Sequence, residues 1–581
     1  MNSDPKAIRT AEQAWTEAVV SPKLKKFGLP QTPTRFYTPL DVNGFDFLDK
    51  VGFPGQYPFT AGNDPVPRWH AAAAALARGG ARHEWGTGSV GKYAGYGTPE
   101  DYRDYLLQMH SLGRTGGPNI AMDLPTQCAY DSDSPRAKGE VGRVGVAIDS
   151  LRDFEIIYEP YTGKLDLDKI SSNFTINAPA ALIIAMYAVL AEKRGIPLDQ
   201  LRGTPQNDIL KEFVGRGLYV FPPRPSLRLF RDTLTFLTEH MPKFNITSIG
   251  GYHMREAGAT REQDLAFSMV IGATYLQTGI DAGLPVDAFA PRFTFNAFGG
   301  SMEIYKEVAF QRAARRMWAS LLKNHFGAKD PRSMMIRQIV NAHIGCISTT
   351  LQRPLNNLSR AVISGMAASM SGGMPVVYPP YDEALGLGHS LEAQQLNHDA
   401  TRILIYEARV GEVADPWAGS HFMESLTDEI EQAAQAEIDK ITGLGGALTT
   451  IETGYMQRCV AKSAYERQKR IEAQEDFIVG VNCFEGPHEI TVKTNRTVDD
   501  VYDPQLLASA EQRQKASLQQ LKAERDDKAV TVALKTLRTQ ALDESVNLMP
   551  GIIECVRAYA TLQEISDVLR EIFGEAEHTV I

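Results

Sequence analysis

An alternation of strand and helix patterns most restricts how this 581-residue chain can fold. Short apolar runs of strand length end at polar or glycine corners, and amphipathic stretches of helix length follow them. The strand candidates are residues 119–124, 170–176, 201–206, 245–252, 289–296, 335–341, 375–378 and 412–414. Eight such units over roughly 300 residues predict a (β/α)8 TIM barrel. A doubly wound sheet also alternates in this way, but one uninterrupted series of eight favours the closed barrel.

Changes in composition divide the chain into three predicted parts. Residues 1–60 are rich in proline and predict an N-terminal arm that faces a partner, and residues 61–415 hold the barrel and its ligand channel. Residues 416–581 predict a C-terminal helical extension. Within that extension, apolar residues recur at helical spacing and predict a helix docked by one stripe: Leu518, Leu521, Val530, Leu534 and Leu537.

The composition narrows the class of function. Lys and Arg total 60 against 70 for Asp and Glu, which argues against nucleic acid or an anionic membrane as the main partner. The five cysteines are scattered and form no C-x-x-C pair, which indicates reduced thiols. The chain starts without an apolar signal core, and the longest apolar run, residues 178–191, is too short to span a bilayer. We therefore expect a soluble cytoplasmic protein.

Two glycine motifs near residue 90 do not meet the context of nucleotide sites. Residues 86–91 match G-x-G-x-x-G, but no buried strand precedes them. With Lys92 they approach a phosphate loop, yet Tyr93 stands where Ser or Thr must bind magnesium. A flexible loop that closes over a ligand is the better interpretation.

Polar side chains collect where the predicted strands end, which is where barrel active sites lie. They include Gln127, Asn177, Gln206, Tyr252, His253 and Glu383, with Arg216 and Arg292 nearby. No cluster has the spacing of a metal site. Ser, Thr and Asn recur on the strands themselves, which favours a centre left open for a long ligand. The alternative is that these side chains bond locally or face the outer helices.

Two of these side chains have chemistry that suits an acid ester. A histidine at a strand end can donate a hydrogen bond to a carbonyl or exchange a proton, and an arginine captures a carboxylate with two parallel bonds. His253 could instead be structural, Arg216 could lie at the surface, and Tyr93 could serve only loop packing.

Several motifs in order resemble the large, substrate-binding subunit of the adenosylcobalamin-dependent acyl-CoA mutases, the methylmalonyl-CoA mutase family. They are YAGYGT from Tyr93, DLPTQ from Asp123, GVAIDS, QNDILKEF, FPPRPS, GYHMREAG, FAPR, DEALGL and ADPWAGS. The resemblance runs from about residue 50 to residue 485. It implies a (β/α)8 barrel threaded by a CoA ester and a rearrangement by radicals.

The resemblance also implies roles for individual residues. His253 would hydrogen-bond the migrating thioester carbonyl, and Arg216 with Tyr93 would hold a free substrate carboxylate. The remaining implied contacts are Gln127, Gln206 and Tyr252 with the substrate, Arg292 and Arg332 with CoA phosphates, and Glu383 with the adenosyl ribose. Because Tyr93 and Arg216 are both present, a malonyl- or succinyl-type ester is favoured.

Departures from the family pattern put simple methylmalonyl-CoA in doubt. Residues 66–92 replace the family's pantetheine-wrapping segment, Ile339–Asn341 replaces H-x-Q-T, and VVYPP replaces SLHTN. The slimmer FNAFGG from Phe295 leaves room for a bulkier substituent, such as an aryl group.

No Asp-x-His-x-x-Gly segment of a cobalamin-binding domain occurs in the sequence. We therefore expect a separate small subunit to hold the corrin of adenosylcobalamin, in a heterotetramer of two large and two small subunits. The alternatives are methylmalonyl-CoA mutase itself, a lyase with His253 as base, and a non-catalytic scaffold that binds CoA esters.

Overall fold

Five short parallel strands lie in the part of the chain that the computed structural model describes. It describes residues 4–30, 36–42, 44–64, 97–111, 116–295, 300–337, 348–372, 381–382, 384, 391–486 and 504–576. The strands are β1 Asn119–Ala121, β2 Ser171–Thr175, β3 Arg202–Pro205, β4 Thr247–Ile249 and β5 Phe293–Phe295. Helices hold far more of the described residues, and the fold belongs to the α/β class.

The strands form one parallel array in chain order. β1 pairs with β2, β2 with β3, and β4 with β5. Between β3 and β4, the N–H of Asn245 donates to the carbonyl of Gly203 at 2.9 Å, and the N–H of Ser248 donates to that of Gln206 at 2.8 Å. Beyond β5, the N–H of Phe295 donates to the carbonyl of Arg337 at 2.8 Å. Helices connect successive strands, so all carboxyl ends lie at one edge of the array.

The first five predicted strands are confirmed in position, and each is shorter than predicted. Residues 412–414 form a bend, so the prediction of a last strand there is wrong. Arg409 and Asp415 both have positive φ, and the chain therefore turns on each side of this short run. The sixth predicted strand is described only as far as Arg337, and the seventh lies outside the described residues. Within the described residues, the strands do not close into a barrel.

Helices make up the rest of the regular structure. The first half contains α1 Pro5–Trp15, α2 Ser21–Phe27, α3 Phe47–Lys50, α4 Pro99–Ser111, α5 Leu124–Gln127, α6 Leu151–Ile157, α7 Ala180–Lys193, α8 Ile209–Lys211, α9 Pro223–His240, α10 Gly251–Glu256, α11 Arg261–Asp281 and α12 Val286–Phe289. The second half contains α13 Ile304–Ser320, α14 Pro331–Met334, α15 Asn356–Met370, α16 Leu391–Arg402, α17 His421–Gly443, α18 Gly446–Glu452, α19 Tyr455–Glu472, α20 Pro504–Glu524, α21 Asp527–Ala541, α22 Met549–Arg557 and α23 Leu562–Phe573. Four π-helical turns are Thr16–Val20, Glu212–Arg216, Leu321–His325 and Ile403–Glu407. None of the helices in the described ranges combines the length and apolar character that crossing a bilayer requires.

The outer face of the array packs against helices. The ring of Phe174 in β2 lies 5.3 Å from that of Tyr187 in α7, between centroids. Ser172, on the same face of β2, donates from Oγ to Tyr187 Oη at 3.1 Å. This hydroxyl therefore faces an outer helix and not an open centre. Because side chains alternate along a strand, Asn173 and Thr175 lie on the opposite, inner face.

A buried arginine joins α13 to α17. Arg312 donates from Nε to Asp415 at 2.9 Å, from Nη2 to Glu424 at 2.6 Å and from Nη1 to Thr427 at 2.7 Å. The side chains of Arg312, Asp415 and Glu424 are 0%, 1% and 3% exposed. Every charge in this cluster has an opposite charge within hydrogen-bond distance, which offsets the cost of removing it from water.

A second buried arginine fastens the N-terminal segment to the same helix. Arg315 donates from Nε to the carbonyl of Phe59 at 2.9 Å and from Nη2 to that of Thr60 at 2.7 Å. Nη2 also donates to the carbonyl of Ser371, at the end of α15. A Cβ at Gly372, which has φ +74°, would lie 2.7 Å from the carbonyl oxygen of residue 61, so the backbones meet closely there. Residues 59–61 are part of the packed core.

The stripe predicted in the C-terminal extension is confirmed, although it spans two helices, α20 and α21. Leu518, Leu521, Val530 and Leu537 are buried, and Leu534 packs partly buried against the core.

Buried carboxyl groups join the segment after β1 to these C-terminal helices. Gln514 of α20 donates from Nε2 to Asp149 at 2.8 Å and to Asp153 at 3.1 Å. Asp131 accepts the N–H of Gln563 at 2.9 Å. Burial raises the pKa of Asp131 to about 7, raises that of Asp153 to about 6, and holds that of Asp149 well above its usual value.

Because the pKa values of these carboxyl groups are raised, we expect their contribution to the free energy of unfolding to fall as pH rises. A carboxyl whose pKa is raised binds its proton more tightly in the folded state, so its contribution is full below about 4 and is lost as pH rises towards 7. Asp131→Asn is therefore expected to raise the midpoint of thermal unfolding, relative to wild type, by more at pH 8 than at pH 5. Asp199→Asn, at an exposed position, is the matched control. A difference between Asp131→Asn and wild type that does not change with pH would contradict this assignment.

Candidate active site

The carboxyl ends of the strands bring polar side chains to one edge of the array. β1 leads into α5, which ends at Gln127, β2 is followed by Asn177, and β3 is followed by Gln206 and Asp208. The N–H of Asp208 donates to Asn177 Oδ1 at 3.0 Å and thereby ties the ends of β2 and β3 together. β4 leads into α10, which carries His253.

A buried carboxylate, Glu212, is the centre of this edge. Its Oε1 accepts hydrogen bonds from Asn177 Nδ2 at 2.6 Å, from Lys211 Nζ at 2.6 Å and from Arg216 Nη1 at 3.3 Å. Gln206 Oε1 accepts from Asn177 Nδ2 at 2.8 Å and from Lys211 Nζ at 3.2 Å. The side chains of Lys211 and Glu212 are fully buried, whereas that of Arg216 is 19% exposed. One edge of the guanidinium is thus held inside while the group reaches the surface of the cluster.

The local sequence explains how Arg216 comes to lie over Glu212. The short helix α8 continues as the π-helical turn Glu212–Arg216 and stops at Gly217, which has φ +82°. The N–H of Gly217 donates to the carbonyl of Glu212 at 2.7 Å and closes the wide turn. Glycine adopts this left-handed conformation without steric cost, so the turn can end directly after Arg216. The side chain of Arg216 then lies against Glu212, the first residue of the turn.

Most of the charged side chains in this cluster are buried, so water screens their charges only in part. Burial lowers the pKa of Lys211 and raises that of Asp208. Asp208 is stabilised by Tyr275, which donates from Oη to Oδ1 at 2.7 Å, and by the N–H of Gly250, which donates to Oδ2 at 2.8 Å. Two buried carboxylates therefore accompany two cations, and the cation nearer to solvent is Arg216.

The imidazole of His253 lies beside this cluster. A Cβ built on Gly250 would lie 3.2 Å from His253 Nδ1 and 3.6 Å from Lys211 Cε, so both side chains lie close to the glycine. The ring of Tyr252 lies 3.9 Å from that of His253, between centroids. The sequence placed these two residues at the end of the strand predicted over residues 245–252, but they are within α10, which begins at Gly251. A side chain at Gly250 would therefore press on the imidazole of His253 and leave the lysine at an ordinary contact distance.

Four of the predicted site residues are brought together here: Gln206, Arg216, Tyr252 and His253. Gln127 lies at the same edge, where its Nε2 donates to the carbonyl of Met122 at 2.6 Å. The thiol of the next residue, Cys128, has its pKa raised by burial and, to a lesser extent, by the charge of Glu212. The end of α5 is therefore within electrostatic reach of the cluster.

Arg292 and Arg332 lie at the opposite edge, before the strands begin. Arg292 precedes β5, and its guanidinium donates to the carbonyl of Leu237 at 2.9 Å and to Thr238 Oγ1 at 2.8 Å, near the end of α9. Burial lowers the pKa of Arg292 to about 10. Arg332 lies exposed on α14, which precedes the strand predicted at residues 335–341. The structure does not bring these two residues to the Glu212 cluster.

Tyr93 and Glu383 lie outside the described residues, so their predicted roles stay predictions. Sequence reasoning missed Lys211, Glu212 and Tyr275. A signal was present for the first two, because a Lys–Glu pair interrupts the otherwise apolar runs Ile209–Leu210 and Phe213–Val214 in a short helical segment. Charged residues with apolar neighbours on both sides have little access to water and need partners.

Some buried polar atoms at this edge make no hydrogen bond in the part of the chain that the structure describes. Among them are Gln127 Oε1 and Ser248 Oγ. Since buried polar groups normally have partners, these atoms fit a polar ligand. The described residues contain no group of three or more His, Cys, Asp or Glu side chains placed to hold a metal ion. The arrangement can hold an anion at Arg216 and donate a hydrogen bond from His253 nearby.

Comparison with known proteins gives consistent matches along the chain. The sequence profile of methylmalonyl-CoA mutase matches residues 31–575. A probable mitochondrial methylmalonyl-CoA mutase of Caenorhabditis elegans is 38% identical over 94% of this chain and 69% of its own length. The methylmalonyl-CoA mutase of Escherichia coli is 38% identical over 84% of this chain and 65% of its own length.

A third relative has a different name and a closer length. The 2-hydroxyisobutanoyl-CoA mutase large subunit of Aquincola tertiaricarbonis is 35% identical over 94% of this chain and 92% of its own length. The chain thus spans about two thirds of the two methylmalonyl-CoA mutases and nearly all of this large subunit.

Proposed function

Because the chain belongs to the methylmalonyl-CoA mutase family, we propose that it is the large subunit of a two-component carbon-skeleton mutase. Members of this family are isomerases and use adenosylcobalamin. The proposed reaction is a 1,2-rearrangement of a carboxylated acyl-CoA of the malonyl or succinyl type, with a substituent bulkier than that of methylmalonyl-CoA, such as an aryl group. The observation that carries this proposal is Arg216, held by buried Glu212 in the cluster that His253 adjoins.

In this proposal the chain's own residues bind and orient the ester. Arg216, with Tyr93, holds the free carboxylate by charged hydrogen bonds. His253 donates to the thioester carbonyl and stabilises the charge that develops there. Gln127, Gln206 and Tyr252 line the same pocket, and burial around Glu212 keeps water from the reacting carbons. Adenosylcobalamin supplies the radical chemistry when it is bound, and Glu383 would contact its adenosyl ribose.

We also propose that the strands close into a (β/α)8 barrel within residues 61–415, along whose axis the CoA ester lies. Five parallel strands in chain order, each followed by a helix, support this closure. His253 and exposed Arg332 lie at opposite edges of the array, which suits an extended ligand with its thioester at one end and its phosphates at the other. Arg292 lies at the phosphate edge in this arrangement.

The names of the relatives support two other substrates for this chain. The large subunit named for 2-hydroxyisobutanoyl-CoA supports a branched hydroxyacyl ester, and the methylmalonyl-CoA mutases support methylmalonyl-CoA itself. The deciding experiment incubates the chain with a cobalamin-binding small subunit and adenosylcobalamin and screens malonyl-type, succinyl-type and branched CoA esters by mass spectrometry. Rearrangement that depends on adenosylcobalamin supports a mutase over a lyase or a scaffold. Preference for a branched ester over every dicarboxylic ester would overturn the proposed substrate class.

The proposed partner is a small subunit that holds the corrin, in a heterotetramer of two large and two small chains. The relative named a large subunit supports a two-component assembly. Large apolar side chains are exposed in the N-terminal arm, residues 1–60, and supply a surface for this partner: Trp15, Val19, Phe27, Leu29, Phe36, Phe47, Leu48 and Phe53. Gel filtration of the mixed subunits tests this assembly.

The cytoplasmic location and the boundaries of the C-terminal extension, 416–581, stay predictions.

Replacing Arg216 with glutamine tests whether Arg216 makes the enzyme prefer carboxylated esters. Glutamine keeps a donor but removes the charge and the fork, so carboxylated esters are expected to lose roughly 1.5–3 kcal/mol of binding, the value of a charged hydrogen bond. A neutral branched ester is expected to lose much less, which narrows or inverts the preference. Steady-state kinetics with both esters measure this. Arg224→Gln, at an exposed arginine paired with Glu452, is the matched control. Equal losses for both esters would show that Arg216 does not read the carboxylate.

A further inference from the structure

We propose that Glu212 is a positioning residue that sets the orientation of Arg216 towards the substrate carboxylate, while Lys211 neutralises the charge of Glu212. This inference rests on the proposed function. Glu212 is fully buried and does not reach the protein surface, so it acts through Arg216. None of the predicted roles included Glu212 or Lys211.

Glu212 closes the turn that carries Arg216 and also bonds the guanidinium of Arg216. The carbonyl of Glu212 accepts the N–H of Gly217 at 2.7 Å, which closes the π-helical turn, and its Oε1 accepts Arg216 Nη1 at 3.3 Å. Its second oxygen, Oε2, accepts the N–H of Leu218 at 3.2 Å. The carboxylate therefore cannot rotate without losing its bond to the backbone of Leu218. Because a guanidinium is planar, a fixed contact at Nη1 restricts the plane in which the whole fork lies.

The carboxylate is itself fixed from the other side. Asn177 Nδ2 donates to Oε1 at 2.6 Å, and Asn177 Oδ1 accepts the N–H of Asp208 at 3.0 Å. The orientation of the arginine is thereby fixed relative to the ends of β2 and β3, which pair with each other in the array. A binding group held by such supports loses less conformational freedom when its ligand arrives.

Electrostatics decide whether neutralising Glu212 weakens or strengthens the binding of a carboxylated ester. If the negative charge of Glu212 were uncompensated, it would repel the carboxylate of the ester, and removing that charge would improve binding. Lys211 Nζ lies 2.6 Å from Glu212 Oε1, so the pair is close to neutral. Burial lowers the pKa of Lys211, and the nearby charge of Asp208 raises it. The double variant Lys211→Met/Glu212→Gln removes both charges of the pair, so the net charge near the ligand stays the same and only the hold on Arg216 is lost.

The test compares Glu212→Gln and the double variant Lys211→Met/Glu212→Gln with wild type in the reconstituted holoenzyme. The double variant leaves no buried charge in the pair, so it keeps the experiment informative if Glu212→Gln alone folds poorly. KM and kcat are measured for a carboxylated ester that wild type rearranges and for a neutral ester, isobutanoyl-CoA. Dissociation constants for both esters, measured by calorimetry on the full chain, give a readout that does not depend on turnover.

We expect the double variant to raise KM and the dissociation constant for the carboxylated ester by roughly tenfold, a factor that corresponds to about 1.4 kcal/mol. The neutral ester and kcat are expected to change less than about threefold, because only an interaction common to ground and transition states is lost. Glu452→Gln, at the exposed pair with Arg224, is expected to change neither.

Two failures are distinguishable. If wild type rearranges no carboxylated ester, the proposed function fails. If wild type does so and the double variant keeps its discrimination between the two esters, Glu212 does not position Arg216. Equal weakening of both esters would show that the Lys211–Glu212 pair serves only the fold. A fall in kcat alone would show that the pair acts on the reaction step and not on carboxylate binding, and it would also overturn the proposal.

Discussion

Replacing Arg312 with alanine is expected to lower the free energy of unfolding by about 3–5 kcal/mol. That is the usual cost of removing one partner from a buried ion cluster, since it leaves the remaining charge without compensation. Here two carboxylates, Asp415 and Glu424, are both almost fully buried and would lose their common partner. Urea unfolding at neutral pH measures the loss.

An exposed ion pair supplies the matched control. Arg513 bonds Asp101, and their side chains are 50% and 28% exposed. Arg513→Ala is therefore expected to lower the free energy of unfolding by less than about 1 kcal/mol. If the two alanine variants lost similar amounts, the Arg312 cluster would not be a main tie between α13 and α17.

Replacing His253 with alanine is expected to lower kcat by about 10²–10³, the effect of losing one hydrogen-bond donor to charge that develops in the transition state. The dissociation constant of the ester should change little, because the carbonyl gains most of its charge only during migration. Single-turnover kinetics of the reconstituted holoenzyme measure the rate, and calorimetry measures the binding.

The control for this prediction is a histidine away from the cluster. His240, at the end of α9, has a side chain that is 54% exposed. His240→Ala should keep the wild-type rate. His253→Ala with wild-type turnover and an unchanged melting temperature would assign the imidazole a structural role only.

The strands could be placed from sequence because their apolar runs are bounded by turn residues on both sides. The run at residues 170–176 became β2, and that at residues 245–252 became β4. The bend at residues 412–414 could not be foreseen, since its geometry depends on Asp415, which a distant residue of α13 binds. A pattern in three residues carries no information about such a partner.

The site was predicted less completely than the fold, for a related reason. Arg216 and His253 stand out because polar residues at strand ends are unusual in an apolar core. The apolar neighbours of Lys211 and Glu212 indicate that both residues need partners, but only the structure, with their mutual contact at 2.6 Å, shows what those partners are. Whether this pair strengthens or weakens binding of the substrate carboxylate depends on that distance, and a sequence pattern does not give distances between side chains.

The contact between Arg315 and the carbonyls of Phe59 and Thr60 has a consequence for mapping the partner surface by deletion. A gene shortened to begin after residue 60 would leave a buried guanidinium without those acceptors and would weaken the helix that carries it. Failure of such a fragment to capture a small subunit would report damage to its interior, whatever surface the subunit touches. Point substitutions at exposed positions such as Trp15 and Phe27, which leave the Arg315 contacts in place, would locate that surface instead.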